Sequence, residues 1–442
     1  MNVALIAMSG IRVCDAELLR LGLTLPGFVE RSKAIASLPS LGLLTLAGMT
    51  PPEHPCTYLE VEDVRKLEAL PEGFDLVGIS SFTAQMPEAY ELADRFRARG
   101  VKVVLGGLHA TARPDEAARH CDAVVIGDGE ASWPALLRDA DAGALKPVYR
   151  AVEPFDLSTS PLPAFHLLDV ERYNRLTVQA GRGCPLRCEF CASSVLLGGK
   201  YRQKPADRVL REIDRIRDIW PRPFLEFADD NAFVDRRYWK RLLPQLAGRE
   251  VRWFAETDLS VYEDADLLGL MRRSGCAEVL IGLESPDEAG LSGLEITRDW
   301  KRKRWSQYEE AVRTIQSHGI RVNGCFVLGL DRHGPEIFEA VFDFAAHTEL
   351  YDVQITVLTP FPGTPLYDRL ALEGRLLEDE PWERCTLFDV TYRPARMSPE
   401  ELREGFHRLA ARLYSEEQTA WRRETFDRKY RRSPRDGAGA SA

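Results

Sequence analysis

The stretch GRGCPLRCEFCASS, residues 181–194, sets Cys184, Cys188 and Cys191 within eight residues, in the spacing C-x3-C-x2-C. The next cysteine is Cys276, and the nearest upstream histidine, His166, stands eighteen residues before the triplet. A structural zinc ion takes four protein ligands, so three thiols without a local fourth make a poor zinc site. Chance clustering of buried thiols is the other plain reading. Closely spaced cysteines on a loop also hold iron–sulfur clusters, and three ligands to a four-iron cluster leave one iron open. An open iron can bind a substrate or cofactor, which makes the missing ligand an argument for chemistry.

Upstream, residues 1–140 alternate short apolar runs (2–8, 56–61, 75–81, 101–107 and 122–129) with helical patterns such as 86–100 and 113–120. Continuous apolar strands alternating with helices predict an α/β domain built on a doubly wound, Rossmann-like parallel sheet. Ligands of such sheets sit beyond the strand C-termini. Those ends carry SSFT (80–83), GGLHAT (106–111) and GDGE (127–130), which read equally well as turn chemistry. The proline-spotted stretch 141–175 reads as a linker.

From 176 a second series begins, with strands predicted at 176–181, 224–230, 251–257, 277–285, 321–330 and 352–360. Helical patterns fall between them at 205–217, 235–246, 264–274, 306–318 and 335–348. Six β/α units predict a partial (β/α)6 TIM-type barrel over 176–370, with the cysteine triplet just after its first strand. Polar residues at strand ends become candidates: Asp229, Asp230, Asn231, Glu256 and Glu284. Residues 371–442 form a helical C-terminal extension. Ser398 and Glu401 predict a capping box opening a helix over 398–421, and the basic stretch 422–435 reads as solvated surface before a disordered tail. The run KRKR (301–304) reads as a solvated helix start, with an anion contact as the sharper alternative.

Composition narrows the class. The 442 residues suffice for two or three domains, and no apolar run approaches a membrane span. A net charge of −10, from 58 basic and 68 acidic residues, argues against broad nucleic-acid binding. The nine cysteines are odd in number and six are scattered singly, which is no disulfide framework and fits a reducing, cytoplasmic compartment. No basic region precedes the apolar N-terminus, so it reads as a first strand and not a signal peptide.

With Phe190 before its last cysteine and its place opening six β/α units, the triplet resembles that of the radical S-adenosylmethionine superfamily. The order of α/β domain, linker and radical barrel, with SSFT, GGLHAT and GDGE in sequence, resembles its cobalamin (B12)-binding class over nearly the whole chain. The resemblance implies a 4Fe-4S cluster held by Cys184, Cys188 and Cys191, with Phe190 beside the bound cofactor. S-adenosylmethionine on the open iron is then cleaved to methionine and a 5′-deoxyadenosyl radical, which abstracts hydrogen from an unactivated position. ADDN (228–231) takes the place of the glycine/glutamate segment with which the superfamily holds the methionine moiety; it departs from that wording but keeps acids, so Asp229 or Asp230 is implied as acceptor of the ammonium, and strand alternation lets only one point inward. Either Glu256 or Glu284 is implied as an acceptor for the ribose hydroxyls, with a solvated strand end as the plain alternative; GCFVLGL (324–330) resembles the fifth-strand segment beside the adenine, and TPFPGTPLYD (359–368) resembles the sixth-strand terminus. Cobalamin is implied near Ser80, Ser81, Gly106, Gly107 and His109. The chain departs from the class signature D-x-H-x-x-G, as many members do, so no histidine is marked as a ligand to cobalt.

The activity implied is a cobalamin-dependent methyltransferase acting on an unactivated carbon of a small-molecule substrate, with no catalytic residue beyond the cofactor-borne radical. A carbon-bound hydrogen has no useful acidity at neutral pH, so a cofactor must carry the hard step. An electron donor such as flavodoxin or ferredoxin is implied as partner. Alternatives are a radical rearrangement, cyclisation or oxidation without methyl transfer, and a non-enzymatic cobalamin or redox sensor. A methylthiotransferase would need a second cluster, for which Cys14, Cys56 and Cys121 have poor context.

Overall fold

The computed structural model describes residues 1–10, 13–20, 38–196 and 200–430. The tail expected to be disordered lies outside them. The chain divides into two compact units: one made of the described residues up to 223 together with 359–392, the other of 224–358 and 393–430.

The first unit is built on β1 (Val3–Met8), β2 (Cys56–Val61), β3 (Leu76–Ser80), β4 (Lys102–Gly106), β5 (Ala123–Ile126) and β6 (Val148–Arg150). They pair in parallel in the order β2-β1-β3-β4-β5-β6, a doubly wound sheet with its switch point between β1 and β3. Five strands fall where the apolar runs predict them. The sixth, β6, lies in the proline-spotted stretch; three residues are too short to show a period. One face of the sheet, with Ala4, Ile6, Val77, Val103 and Val124, packs solidly on Ala89, Leu92 and Phe96 of the helix Met86–Arg97. The same unit carries β7 (Leu176–Val178) and the two-residue hairpin strands β8 (Gly181–Arg182) and β9 (Arg202–Gln203). Its helices Ala206–Ile219 and Pro365–Leu372 follow the cysteine loop in sequence.

In the second unit β10 (Phe224–Ala232), β11 (Arg252–Thr257), β12 (Cys276–Glu284), β13 (Arg321–Leu328) and β14 (Asp352–Val357) pair in parallel in chain order. The intervening helices Arg236–Ala247, Ala265–Arg273, Tyr308–Ser317 and Ile337–His347 match their predicted positions to within two residues. Such agreement follows from strong 3.6-residue apolar patterning. Trp239 of the first of these helices packs edge-on against Phe227 of β10, with ring centroids 5.0 Å apart, and Trp253 of β11 stands 5.3 Å from Phe227. These rings fix which strand face meets the helices.

The capping box forms as predicted: Glu401 N donates to Ser398 Oγ (3.1 Å) and Ser398 N to the Glu401 carboxylate (2.7 Å). The helix it opens, Pro399–Leu413, is shorter than the sequence suggests, and a second helix, Glu416–Tyr430, restarts after it. The break places the Tyr414 hydroxyl to accept a hydrogen bond from Ile355 N of β14 at 3.2 Å. The solvated reading of the basic stretch fails at Arg422, which is 2% exposed, donates to Leu413 O at 2.8 Å and stands 3.9 Å from the buried Asp352 carboxylate. Among the described residues no helix is long and apolar enough to cross a membrane.

Candidate functional site

The cysteine loop is held from several sides within the first unit. Gly183 has φ +87°, a left-handed conformation that glycine takes without strain, and turns the chain directly before Cys184. Cys191 N donates to Cys188 O at 3.2 Å, closing a tight turn across Glu189 and Phe190. Cys184 and Cys188 are buried and Cys191 is half-buried, and none of the nine cysteines is in a disulfide. Glu189 is pinned by a forked contact from Arg369, at 2.7 and 3.3 Å, while Leu366 N donates to Glu189 O at 3.1 Å. The segment expected to end the sixth strand therefore braces this loop through the helix Pro365–Leu372.

Among the described residues, no three His, Cys, Asp or Glu side chains converge closely enough to hold one metal ion. Thiolates that each take a different iron of a cluster stand farther apart than ligands sharing one ion. Three soft thiols on one braced loop therefore suit a cluster better than zinc.

A cavity of about 130 Å³ lies on the opposite face of the first sheet from the packed core, reaching the C-terminal ends of β3, β4 and β5. Ser80, Gly106, Gly107, Gly127 and Gly129 line it, with Leu5, Leu43, Leu46 and Trp133 as apolar walls. A Cβ on Gly78 would come within 2.9 Å of Leu5 Cδ2, and one on Gly107 (φ +100°) within 2.9 Å of Ser80 Oγ. The space exists because these positions lack side chains, which suits a slot for a flat or extended organic group.

Two of the residues expected near cobalamin, Ser81 and His109, do not line this cavity. Ser81 is not among the cavity's lining residues and donates its hydroxyl to Phe82 O at 2.9 Å. His109 is 1% exposed and packs against Tyr90 and Trp382, with ring centroids 6.3 and 5.2 Å away. Its Nε2 lies 3.6 Å from Glu116. Despite the cost of burial, the His109 ring beside it and the Trp382 indole N–H, which donates to it at 3.1 Å, hold the Glu116 carboxyl below its ordinary range.

In the second unit, burial alternates along β10: Leu225, Phe227, Asp229 and Asn231 are buried, while Phe224, Glu226, Ala228 and Asp230 are partly open. Asn231 is fixed by Asp258, its amide donating to the carboxylate at 2.8 Å and its oxygen accepting from Asp258 N at 2.9 Å. On β11, Trp253, Phe254, Ala255 and Thr257 are buried, Glu256 is exposed, and Phe254 stacks 6.2 Å from Phe224. Asp230 and Glu256 are thus more open than the buried Asp229, and the register of β10 on β11 shifts between Phe227 and Ala232.

Glu284, at the end of β12, has φ +63°, and its buried carboxylate pairs with Lys301. Lys301 Nζ also donates to Gly282 O at 3.0 Å, and its backbone N donates to Glu295 at 2.9 Å. The first residue of KRKR is thus a buried ion-pair partner and not a solvated helix start. Burial first, then the Glu284 and Glu256 carboxylates, push the Cys325 thiol well up. Sequence reading missed Arg369, Arg182 and Arg202, and weighed the anion contact of Lys301 only as an alternative, because no local pattern marks a long cation that pairs with a residue far along the chain.

Residues 178–345 match the Radical SAM superfamily, residues 34–137 the B12 binding domain, and residues 364–440 a domain of unknown function, DUF4070. The chain is 30% identical over 388 residues to bacteriochlorophyllide d C-12(1)-methyltransferase of Chlorobaculum tepidum, covering 86% of this chain and 83% of that protein. It is 31% identical over 349 residues to an uncharacterized methyltransferase of Synechocystis, covering 77% of this chain and 64% of that one. The radical S-adenosylmethionine methyltransferase TsrM from Kitasatospora setae, solved with cobalamin and a [4Fe-4S] cluster, superposes with a TM-score of 0.69 over 94% of this chain and 89% of that chain, a likeness of fold at 16% identity. With both domains in order and a relative at that identity along most of its length, the chain belongs to the radical S-adenosylmethionine superfamily, in the class that carries a B12-binding domain.

Proposed function

We propose that this chain is a cobalamin-dependent radical S-adenosylmethionine methyltransferase acting on an unactivated carbon of a small molecule. The observation that carries the reading is the braced loop of Cys184, Cys188 and Cys191 in a unit that also holds a glycine-walled cavity beyond its strand ends. When bound, the cluster with S-adenosylmethionine supplies a hydrogen-abstracting radical, and cobalamin supplies the methyl group. The three cysteines hold the cluster as thiolates, with Phe190 in the turn between the last two. Ser80, Gly106 and Gly107 admit cobalamin. Asp230, the more open of the two aspartates, receives the ammonium of S-adenosylmethionine as a charge-assisted acceptor, and the exposed Glu256 on the next strand takes the ribose hydroxyls. Glu284, at the end of β12, is already engaged by Lys301.

The proposal includes a cytoplasmic setting, a flavodoxin- or ferredoxin-type electron donor and no nucleic-acid partner, in keeping with the acidic charge and scattered thiols. It retains the boundaries 1–140, 141–175, 176–370 and 371–442 as functional divisions of the chain.

Anaerobic purification with cobalamin supplied, followed by metal analysis, tests the reading: about four irons and one cobalt per chain are expected. Iron without cobalt would remove methyl transfer through cobalamin and leave radical chemistry standing. For the methionine contact, Asp230→Asn is expected to weaken S-adenosylmethionine binding about tenfold to a hundredfold by equilibrium dialysis, the range for losing a charged hydrogen bond. Unchanged binding would reject Asp230 as the ammonium acceptor.

A further inference from the structure

β8 and β9 form an antiparallel hairpin in which Arg182 stands directly opposite Arg202. Like charges paired across strands repel, and these side chains are only 15% and 13% exposed. Asp128 resolves the repulsion. Its Oδ1 accepts from Arg182 at 2.7 Å and its Oδ2 from Arg202 at 2.8 Å. Glu130 accepts from Arg182 Nη2 at 2.8 Å, and Gln179 Oε1 accepts from Arg182 Nε and Nη2 at 3.2 and 3.1 Å. Phe155 N donates to Asp128 Oδ2 at 2.8 Å, and Phe155 O accepts from Arg202 at 2.9 Å.

The position of this network gives it a consequence. Arg182 lies two residues before Cys184, at the root of the cysteine loop. Asp128 lies between Gly127 and Gly129, and those glycines and Glu130 line the cavity of the first sheet. One planar guanidinium thus joins the cysteine loop to the cavity wall, with all three of its nitrogens engaged and its orientation fixed. A hairpin needing stability alone could place one cation opposite one anion. Two facing arginines that share a carboxylate from the cavity wall make the hairpin depend on that wall.

We propose that Arg182 is a positioning residue that holds the cysteine loop at a set distance from the cavity wall, so that groups bound at the two places keep a fixed separation. The identity of those groups rests on the proposed function; the mechanical link does not. Hydrogen exchange on the full chain without cofactors tests the link. Arg182→Gln is expected to raise exchange about a hundredfold in both 127–131 and 181–184, as loss of a buried pair frees each side, while the helix Ala206–Ile219 is unchanged. An increase on the cysteine side alone, or none, would overturn it. If this variant fails to fold, Asp128→Asn, which keeps both arginines, is read by the same criterion.

In the loaded protein, electron paramagnetic resonance then measures how strongly the reduced cluster speeds relaxation of the cobalt(II) signal. That enhancement is expected to change in Arg182→Gln at unaltered iron content and to recover in part in Arg182→Lys, which keeps the charge without the fork. Altered exchange with an unchanged enhancement would reduce Arg182 to a staple and overturn the positioning role. A wild-type chain that takes up no cobalt would count against the proposed function, while the exchange result would still decide the link.

Discussion

Replacing Cys188 by alanine should remove 5′-deoxyadenosine formation, by about 10⁴-fold or to background, while leaving the chain folded. The asymmetry follows from what each property depends on. A radical step that no side chain can perform disappears with its cofactor. Stability depends on packing, and a buried thiol behaves there as a small apolar group whose truncation costs about 1 kcal/mol. Cys188 is 7% exposed, and the loop that carries it keeps its turn through its own backbone and its brace through Glu189 and Arg369. Iron content, denaturant unfolding of the apo chain, and anaerobic product analysis with dithionite check the three parts separately. A variant that retains the full iron complement and wild-type cleavage would remove Cys188 from the ligand set. The same result is expected for Cys184→Ala and Cys191→Ala.

The second large effect is structural. Lys301→Ala should destabilise the chain by about 3–5 kcal/mol, because it strands the buried Glu284 carboxylate. The pair lies where little can rearrange: Glu284 has a left-handed backbone, Lys301 N is held by Glu295, and a Cβ on Gly282 would meet both side chains. Removing both charges together, as Lys301→Met with Glu284→Gln, should recover at least half of the loss, since no unpaired ion remains. Denaturant unfolding of the two variants gives the comparison. A double variant as unstable as the single one would show that Lys301 contributes packing and not charge compensation.

The parts of the fold readable along the chain are those with a local physical signature. The helices of the second unit were predicted within two residues because an amphipathic helix must repeat its apolar stripe every 3.6 residues to stay on its sheet. The strands of both units were readable because parallel strands covered on both faces are runs of apolar residues. Ser398 and Glu401 gave the start of the C-terminal helix because a capping box is complete within four residues. Its end at Tyr414 was hidden, since that break serves a hydrogen bond to a strand some sixty residues earlier.

The candidate site divides along the same line. The cysteine triplet is a local constellation, and its spacing alone carried the reading to a cluster and, with the order of β/α units around it, to the family. The proposed preference for Asp230 over Asp229 rests on burial, which the sequence does not display: Asp229 is buried and Asp230 is the more open of the two. The enclosure of His109 by Tyr90, Glu116 and Trp382 was not readable either, because those neighbours come from distant parts of the chain.

By itself the sequence determined the chemistry available to this protein, three thiols on one loop and glycines at the strand ends, because those features act through neighbours in the chain. Only the tertiary structure decided how they are held. Arg182, Arg369 and Lys301 each meet a carboxylate that folding brings into reach, and a charge without a local partner has no pattern by which its destination can be read.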